Sequence, residues 1–198
     1  MTRVRDSEAT HSKIVRAAVK EFTDSGYDGT TISKIARRAG ISKQLLSHHF
    51  PTKEKLFREV HDLRFRTAIA DEAMPSKATD LMAERFLLRA RDVDYVRFLT
   101  WEAASGKNSK VPGRDARLHR ITEKASAIRK MQLKGEIRSD LDYRLMQLAI
   151  TSLATYPLAF RQITRLVTGR DPTDAIFQKQ WHQFLRTIGH MLFSKPKS

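Results

Sequence analysis

The chain has 198 residues, with 37 lysines and arginines against 22 aspartates and glutamates, a formal net charge of +15, and no cysteine. That length fits one or two modest domains with a real core, and the charge favours a polyanionic partner through long-range attraction and counterion release. The absence of cysteine excludes disulfides, thiolate metal sites and cysteine nucleophiles, and is compatible with a reducing cytoplasm.

Residues 1–13 combine charge with no apolar run, so no secretory signal is expected there. Arg3 and Arg5 precede the first helical pattern on a basic arm, a device that elsewhere enters minor grooves. From Thr31 to Phe57 two short helical patterns are joined by Ala39-Gly40-Ile41-Ser42. In the first, Ile32, Ile35, Ala36 and Ala39 fall at i, i+3, i+4 and i+7, which puts them on one face. Thr31 caps its start. Gly40 tolerates the positive φ that stops a helix, and Ser42 is placed to accept from the first free amides of the next. So short a connection forces the sharp turn of a DNA-binding helix-turn-helix. The same spacing also describes an ordinary helical hairpin with a solvated polar face.

In the second helix, 100° steps from Leu46 put Lys43, His49 and Phe50 on its side, while Gln44 and His48 point away, flanked by Leu45 and Ser47. Gln bonds bidentately to adenine, Leu meets a thymine methyl, and Ser or His donates to a base edge or phosphate, so this outward face suits a major groove. Lys43 reaches a phosphate along its apolar stem. Pro51-Thr52 ends the helix, and Thr52 caps a fourth that opens with Lys53, whose ammonium beside free amides makes a phosphate clamp. Expected DNA contacts are therefore Thr31, Ser42, Lys43, Gln44, Leu45, Ser47, His48 and Lys53.

Leu56, Val60 and Leu63 carry the fourth helix toward Ala70, with an interruption at Pro75 or in the turn that follows. Further helices are expected at about Thr79–Arg91, Val93–Ser105, Arg114–Lys134, Tyr143–Thr168 and Thr173–Phe193, with a turn-rich loop at Gly106–Gly113. Residues 107–138 carry ten basic and three acidic side chains, so the charge excess is not confined to the reading head; a solvated helix face is the simplest account. Phe86, Tyr95, Phe98, Trp101, Glu102, Met131, Tyr156 and Phe160 either fill core or line an apolar pocket with a few polar anchors. Pro157 removes a backbone donor, so a kink and a locally free carbonyl are expected there. The uncharged stretch Leu145–Phe160 is too short and too polar to span a bilayer.

The helix containing Leu145, Leu148 and Leu153 is apolar on nearly every side. The last helix carries Phe177, Trp181, Phe184, Leu185, Ile188 and Leu192 as a wide stripe. Part of this surface is expected to meet a second copy; the alternative is burial within one subunit.

The stretch Ile14–Leu56 resembles the amino-terminal domain of the TetR family of bacterial transcriptional repressors. The matching pieces are Ile14-Val15-Arg16-Ala17-Ala18, Phe22, Gly26-Tyr27, Thr30-Thr31-Ile32, Ile35-Ala36, Ala39-Gly40-Ile41-Ser42, His49-Phe50-Pro51-Thr52-Lys53-Glu54 and Leu56. It departs at Ser47, where the family usually has a backbone-touching aromatic, and at Gln44, where it often has a small residue. The resemblance implies an all-α fold of about nine helices, with a three-helix DNA-binding domain at 1–52 and an effector-binding and dimerisation domain at 53–198. It implies a homodimer through the last two helices on a roughly palindromic double-stranded DNA operator. It also implies a small-molecule effector and a cytoplasmic location, without cofactor, metal or membrane. The effector candidates are Phe86, Phe98, Trp101, Glu102, Met131, Tyr156 and Phe160; the dimer candidates are Leu153, Phe177, Trp181, Phe184, Leu185, Ile188 and Leu192. A charge-driven architectural DNA binder and an orphan regulator without effector are the competing functions. No enzyme is expected, since the seven histidines include no i, i+4 pair and no Ser-His-acid set or phosphate loop is signposted.

Overall fold

The computed structural model describes the backbone of residues 2–70, 75, 77–104 and 114–194, with all of their side chains except those of 2–5, 66 and 68–70. Every regular element among them is helical: α1 (Thr2–Gly29), α2 (Ile32–Ala39), α3 (Lys43–His49), α4 (Lys53–Ala70), a 3-10 turn (Ala78–Asp80), α5 (Leu81–Arg91), α6 (Val93–Ala104), α7 (Arg114–Leu133), α8 (Tyr143–Ala159), α9 (Arg161–Thr168) and α10 (Ala175–Phe193). The loop expected at Gly106–Gly113 lies outside the described residues.

The chain packs as two units, Met1–Ile69 with Arg97–Arg114, and Ala70–Val96 with Asp115–Ser198. The first has a core of Ile14, Phe22, Ile35, Leu46, Leu56, Val60 and Phe98. Leu56 and Val60 on α4 are fully buried in that core, so the packing boundary falls beyond residue 52, where the sequence placed the division of function. Phe57 joins Phe22 edge-on and Phe98 in a stack, with ring centroids 5.0 and 5.3 Å away. Within α1, Gly26 adopts φ 66° and ψ −177°, a kink that splits off its last turn. Side chains are essentially barred from that region, and a Cβ there would lie 2.9 Å from Cδ2 and Cε3 of Trp101. The backbone of Arg3 and Arg5 is helical where an arm ahead of the first helix was expected.

The second unit is built around α5, whose Leu81, Met82, Ala83 and Phe86 are buried with Met146, Ile150, Ala154 and Leu158 of α8 and Phe177, Leu185 and Phe193 of α10. Gly189 lets α10 approach the 3-10 turn: an added Cβ would sit 1.9 Å from the Thr79 carbonyl oxygen. Arg186 Nε donates to Asp80 Oδ1 at 2.9 Å across the same junction. Asp142 caps α8, accepting from the amides of Arg144 and Leu145, and Asp174 caps α10, accepting from those of Ile176 and Phe177. The Gln132 amide donates to the carbonyls of Arg138 and Leu141, fixing the turn between α7 and α8.

Ten helices are found among the described residues where about nine were expected, because Tyr143–Thr168 breaks at Phe160 (φ −113°, ψ 59°) into α8 and α9. The cause is traceable to Pro157. Its missing N–H leaves the Leu153 carbonyl without its intrahelical donor, and the Trp181 indole of α10 donates to that oxygen at 3.3 Å. Seven residues after the proline, Thr164 Oγ1 donates into the Pro157 and Phe160 carbonyls, both at 3.1 Å, which satisfies the broken end from within α9.

Candidate nucleic-acid interface

The turn between α2 and α3 is set by local hydrogen bonds. Thr31 Oγ1 accepts from the Lys34 amide at 3.2 Å, and Ser42 Oγ from the Leu45 amide at 3.1 Å. Gly40 is left-handed at φ 64°, ψ 37°, and its N–H turns back on the carbonyls of Ala36 and Arg37. The following Ile41 amide also donates to Ala36, at 3.1 Å, so the last carbonyls of α2 are occupied as a left-handed C-cap requires. At the far end of α3 the Phe50 amide closes onto Leu46 at 2.8 Å. Thr52 then caps α4 by accepting from the Lys55 amide at 3.1 Å.

The inner face of α3 is Leu46 and Phe50, both buried, with His49 half-buried. Lys43, Gln44, Leu45, Ser47 and His48 are all exposed, and the 40% exposure of Leu45 is large for a leucine with no fold-level reason to face water. Ser42 and Thr31 are exposed as well, each with its hydroxyl held by a cap. Arg38 secures α2 from behind, its Nε donating to the nearly buried Glu21 at 2.7 Å with Asp24 3.4 Å away. Periodicity alone did not single out this tether; the charge sequence Glu21, Asp24, Arg38 was its only trace.

His11 of α1 joins the end of α3 to α4. Its ring lies 5.0 Å from Phe50 and 6.3 Å from His49, and Nε2 is 2.9 Å from Glu59 Oε1. Burial, followed by the charges of His11 and His48, pushes the His49 imidazole below its ordinary value. At neutral pH it therefore packs as an uncharged ring.

Lys53 departs from expectation. Its ammonium donates to the carbonyls of Tyr27 at 2.9 Å and Thr30 at 3.0 Å, and sits 4.1 Å from the Tyr27 ring centroid. Two of its three donors are thus engaged within the protein. The residue ties the α1–α2 connection to α4: the carbonyls that end the kinked turn of α1 accept from a lysine at the start of α4.

The effector candidates are divided between the two packing units. Phe86 is sealed in the core of the second, Met131 packs against that core, and Tyr156 and Phe160 are half-exposed with ring centroids 4.9 Å apart. Phe98 belongs to the first core, Trp101 lies over Gly26, and Glu102 Oε1 is 3.4 Å from Nε2 of the buried His61. Among the dimer candidates, Phe177 and Leu185 are buried inside the protomer and have no surface to offer a second copy. Leu153, Trp181, Ile188 and Leu192 are partly buried against the same core, and Phe184 is exposed. The apolar residues that do face outward are Leu145, Leu148, Tyr156 and Phe160 on α8 and its end, and Ile176 and Met191 with Phe184 on α10. On α7, Arg114, Arg120, Arg129 and Lys130 are exposed, as is Lys134 just past its end, while burial lowers Lys124 to about 8. Among the described residues no helix is long and apolar enough to cross a membrane, and no group of three or more His, Asp or Glu is arranged for a metal ion.

A helix-turn-helix with a buried inner face and a solvated outer face, in a chain that also carries a second helical unit, is the build of a helix-turn-helix transcriptional regulator. Residues 14–60 match the family described as bacterial regulatory proteins, tetR family, so the amino-terminal domain is similar to the DNA-binding domain of that family. The HTH-type transcriptional repressor SCO4008 of Streptomyces coelicolor is 26% identical over 166 residues, covering 83% of this chain and 86% of that protein. In fold, the Streptomyces coelicolor regulator SCO4942 superposes with a TM-score of 0.77 at 22% identity, over 94% of this chain and 99% of that one. AibR, solved in complex with isovaleryl coenzyme A and operator DNA, superposes with a TM-score of 0.68 at 20% identity, over 93% of this chain and 98% of that one.

Proposed function

We propose that the chain is a homodimeric repressor that holds a roughly palindromic DNA operator through α3 and lets it go when a small molecule occupies the carboxy-terminal unit. The observation that carries this reading is the face of α3: Gln44, Leu45, Ser47 and His48 stand open to solvent on a helix whose ends are capped and whose other side is core. Gln44 and Leu45 are assigned to base edges, Ser47 and His48 to base edge or phosphate, and Lys43 with the amino ends of α2 and α3 at Thr31 and Ser42 to the phosphate backbone. Lys53 is assigned to positioning α4.

The dimer is supported by the seven exposed apolar side chains of α8 and α10. At roughly 200 Å² for a complete large side chain, their exposed fractions amount to about 800 Å², the area each partner gives to a standard interface. A two-fold axis would set the two α3 helices one or more duplex turns apart. The effector is supported by analogy with AibR, whose structure contains both isovaleryl coenzyme A and operator DNA. Release requires only that the ligand bind the DNA-free form more tightly than the bound form. Met131, Tyr156 and Phe160 are the candidates in the second unit with surface left to meet it. A bacterial cytoplasm is the compartment such a function implies.

Selection of bound sequences from random duplexes tests the assignment. The wild type should enrich a site with two related half-sites, and Gln44→Ala should change the preferred base at matching positions of both. An unchanged ranking in the variant would remove α3 as the reader.

A further inference from the structure

Three imidazoles stand in a row across the reading head. His48 is exposed on the outward face of α3, one turn beyond Gln44. Its ring centroid lies 5.9 Å from that of His49, which in turn lies 6.3 Å from that of His11 on α1. Each ring has a different setting. His11 is engaged by α4, with Nε2 2.9 Å from Glu59 Oε1. His49 is half-buried, and burial together with the charges of its two neighbours keeps it neutral at physiological pH. His48 faces water, and among the described residues no hydrogen bond or ion pair involves its side chain.

The charged groups on the surrounding elements are basic or already matched. α1 contributes His11. On α2, Lys34 donates to the Gly29 carbonyl at 3.0 Å, Arg38 is paired with Glu21, and Arg37 is exposed. α3 itself adds Lys43 and His49. On α4, Lys53 is drawn to the Tyr27 and Thr30 carbonyls and Lys55 is exposed, while Glu54 is held by Arg58 at 2.6 Å and Glu59 by His11. An imidazolium at position 48 therefore takes its counter-charge from outside the head, and the polyanion that meets the outward face of α3 carries one in every phosphate.

Resting on the α3 reading above, we infer that operator binding takes up protons at His48, whose imidazolium holds a backbone phosphate. This narrows the assignment of His48 from base edge or phosphate to phosphate alone. Two features favour it. His48 lies in the last turn of α3, whereas a recognition helix presents its base-reading side chains from its amino-terminal part. The ring 5.9 Å behind it is the neutral one, so a charge at His48 meets no like charge from its immediate neighbour. Imidazole is the side chain whose charge changes between about pH 5 and pH 8, and the complex therefore strengthens as pH falls. The window is bounded below by His49. Its value is depressed in the folded head, so the unfolded chain gains that proton first, and stability is lost as pH falls below about 6.5, the ordinary histidine value. Between pH 8 and that limit His49 does not weaken the head, and the proton at His48 acts on affinity.

Fluorescence anisotropy of the full chain at fixed ionic strength, from pH 8.0 to pH 6.5, tests this with wild type, H48Q and H11Q. The probes are the duplex enriched from the random pool and a scrambled duplex of equal length. A tenfold preference of phosphate-bound imidazole for its proton, acting in both heads of the proposed dimer, strengthens wild-type binding about tenfold over that range. The salt dependence should be steeper at pH 6.5 by up to about 0.9 per head. Glutamine keeps a donor but cannot titrate, so H48Q should lose most of the rise, whereas H11Q should retain it. A wild type that prefers the enriched duplex yet binds it within about twofold across the range would overturn the proton linkage and leave the α3 reading standing. A rise that H48Q retains or H11Q abolishes would do the same. Affinity that falls with pH would assign His48 to a base edge as a neutral acceptor and overturn the inference. A wild type that binds both duplexes alike at every pH would overturn the α3 reading and the inference with it.

Discussion

Replacing Lys53 by alanine separates two roles that the same residue type can play in a DNA-binding head. The ammonium holds the Tyr27 and Thr30 carbonyls at 2.9 and 3.0 Å and lies over the Tyr27 ring. Hydrogen bonds from a charged donor contribute about 1.5–3 kcal/mol each when well shielded, and a cation over an exposed ring about 0.5–1 kcal/mol. Because the side chain is half-exposed, solvent competes for all three interactions, and about 2 kcal/mol is expected for the set. For a chain of this length that corresponds to a fall in Tm of about 4–8 °C. A residue devoted to phosphate would behave differently: it would leave Tm unchanged and flatten the plot of log affinity against log salt by about 0.9 on duplex DNA. Differential scanning fluorimetry and a salt titration of duplex binding on the same preparations distinguish them. Unchanged Tm with a slope flattened by about one would refute the tether reasoning.

Gly26→Ala should cost about 2–4 kcal/mol, from a backbone conformation barred to side chains and from overlap with Trp101; denaturant unfolding of G26A, W101A and the double variant should show that removing the indole recovers only the overlap part. Trp181→Phe should destabilise the chain by about 1–3 kcal/mol by leaving the Leu153 carbonyl unpaired, with faster hydrogen exchange concentrated on α8 and α9; exchange unaltered there would contradict the assignment of that bond. Burial alone would raise the Asp171 carboxyl, but the hydrogen bonds from Thr173, Arg161 and Arg165 outweigh it and hold it below its ordinary range in the folded chain, so its contribution is complete above about pH 4, the unfolded value, and is lost as pH falls through the folded value. Thermal melts from pH 6 to pH 2.5 should therefore show a decline below about pH 4 that Asp171→Asn makes shallower, and parallel declines in the two proteins would refute this.

Much of the reading head was legible because its determinants are local. Thr31, Gly40 and Ser42 act on amides and carbonyls within four residues of themselves, and the face of α3 follows from one buried leucine and the helical repeat. The same local logic found the disturbance at Pro157, including the carbonyl it frees. It did not find where the helix would break, since that depends on Thr164 satisfying the open end and on Trp181 arriving from α10. Nor did sequence separate core from surface on α8 and α10. A helix apolar on nearly every side carries no mark of which side meets its own protomer, so Phe177 and Leu185 looked equivalent to Phe184 until α5 was seen to pack against the former. The internal partners of Lys53 were hidden for a related reason: a long flexible side chain at a helix start reaches a phosphate or a neighbouring carbonyl equally well, and the kink at Gly26 that brings the carbonyls within range is not legible in the spacing.

The central claim is that the open face of α3 reads base sequence, over and above the attraction of a chain with net charge +15 for any polyanion. Its most direct test is the ratio of affinities for a selected duplex and a scrambled duplex of equal length, measured at two salt concentrations. Sequence reading predicts a preference of about a thousandfold or more that persists as both affinities fall with salt. Equal affinities at both concentrations would contradict it.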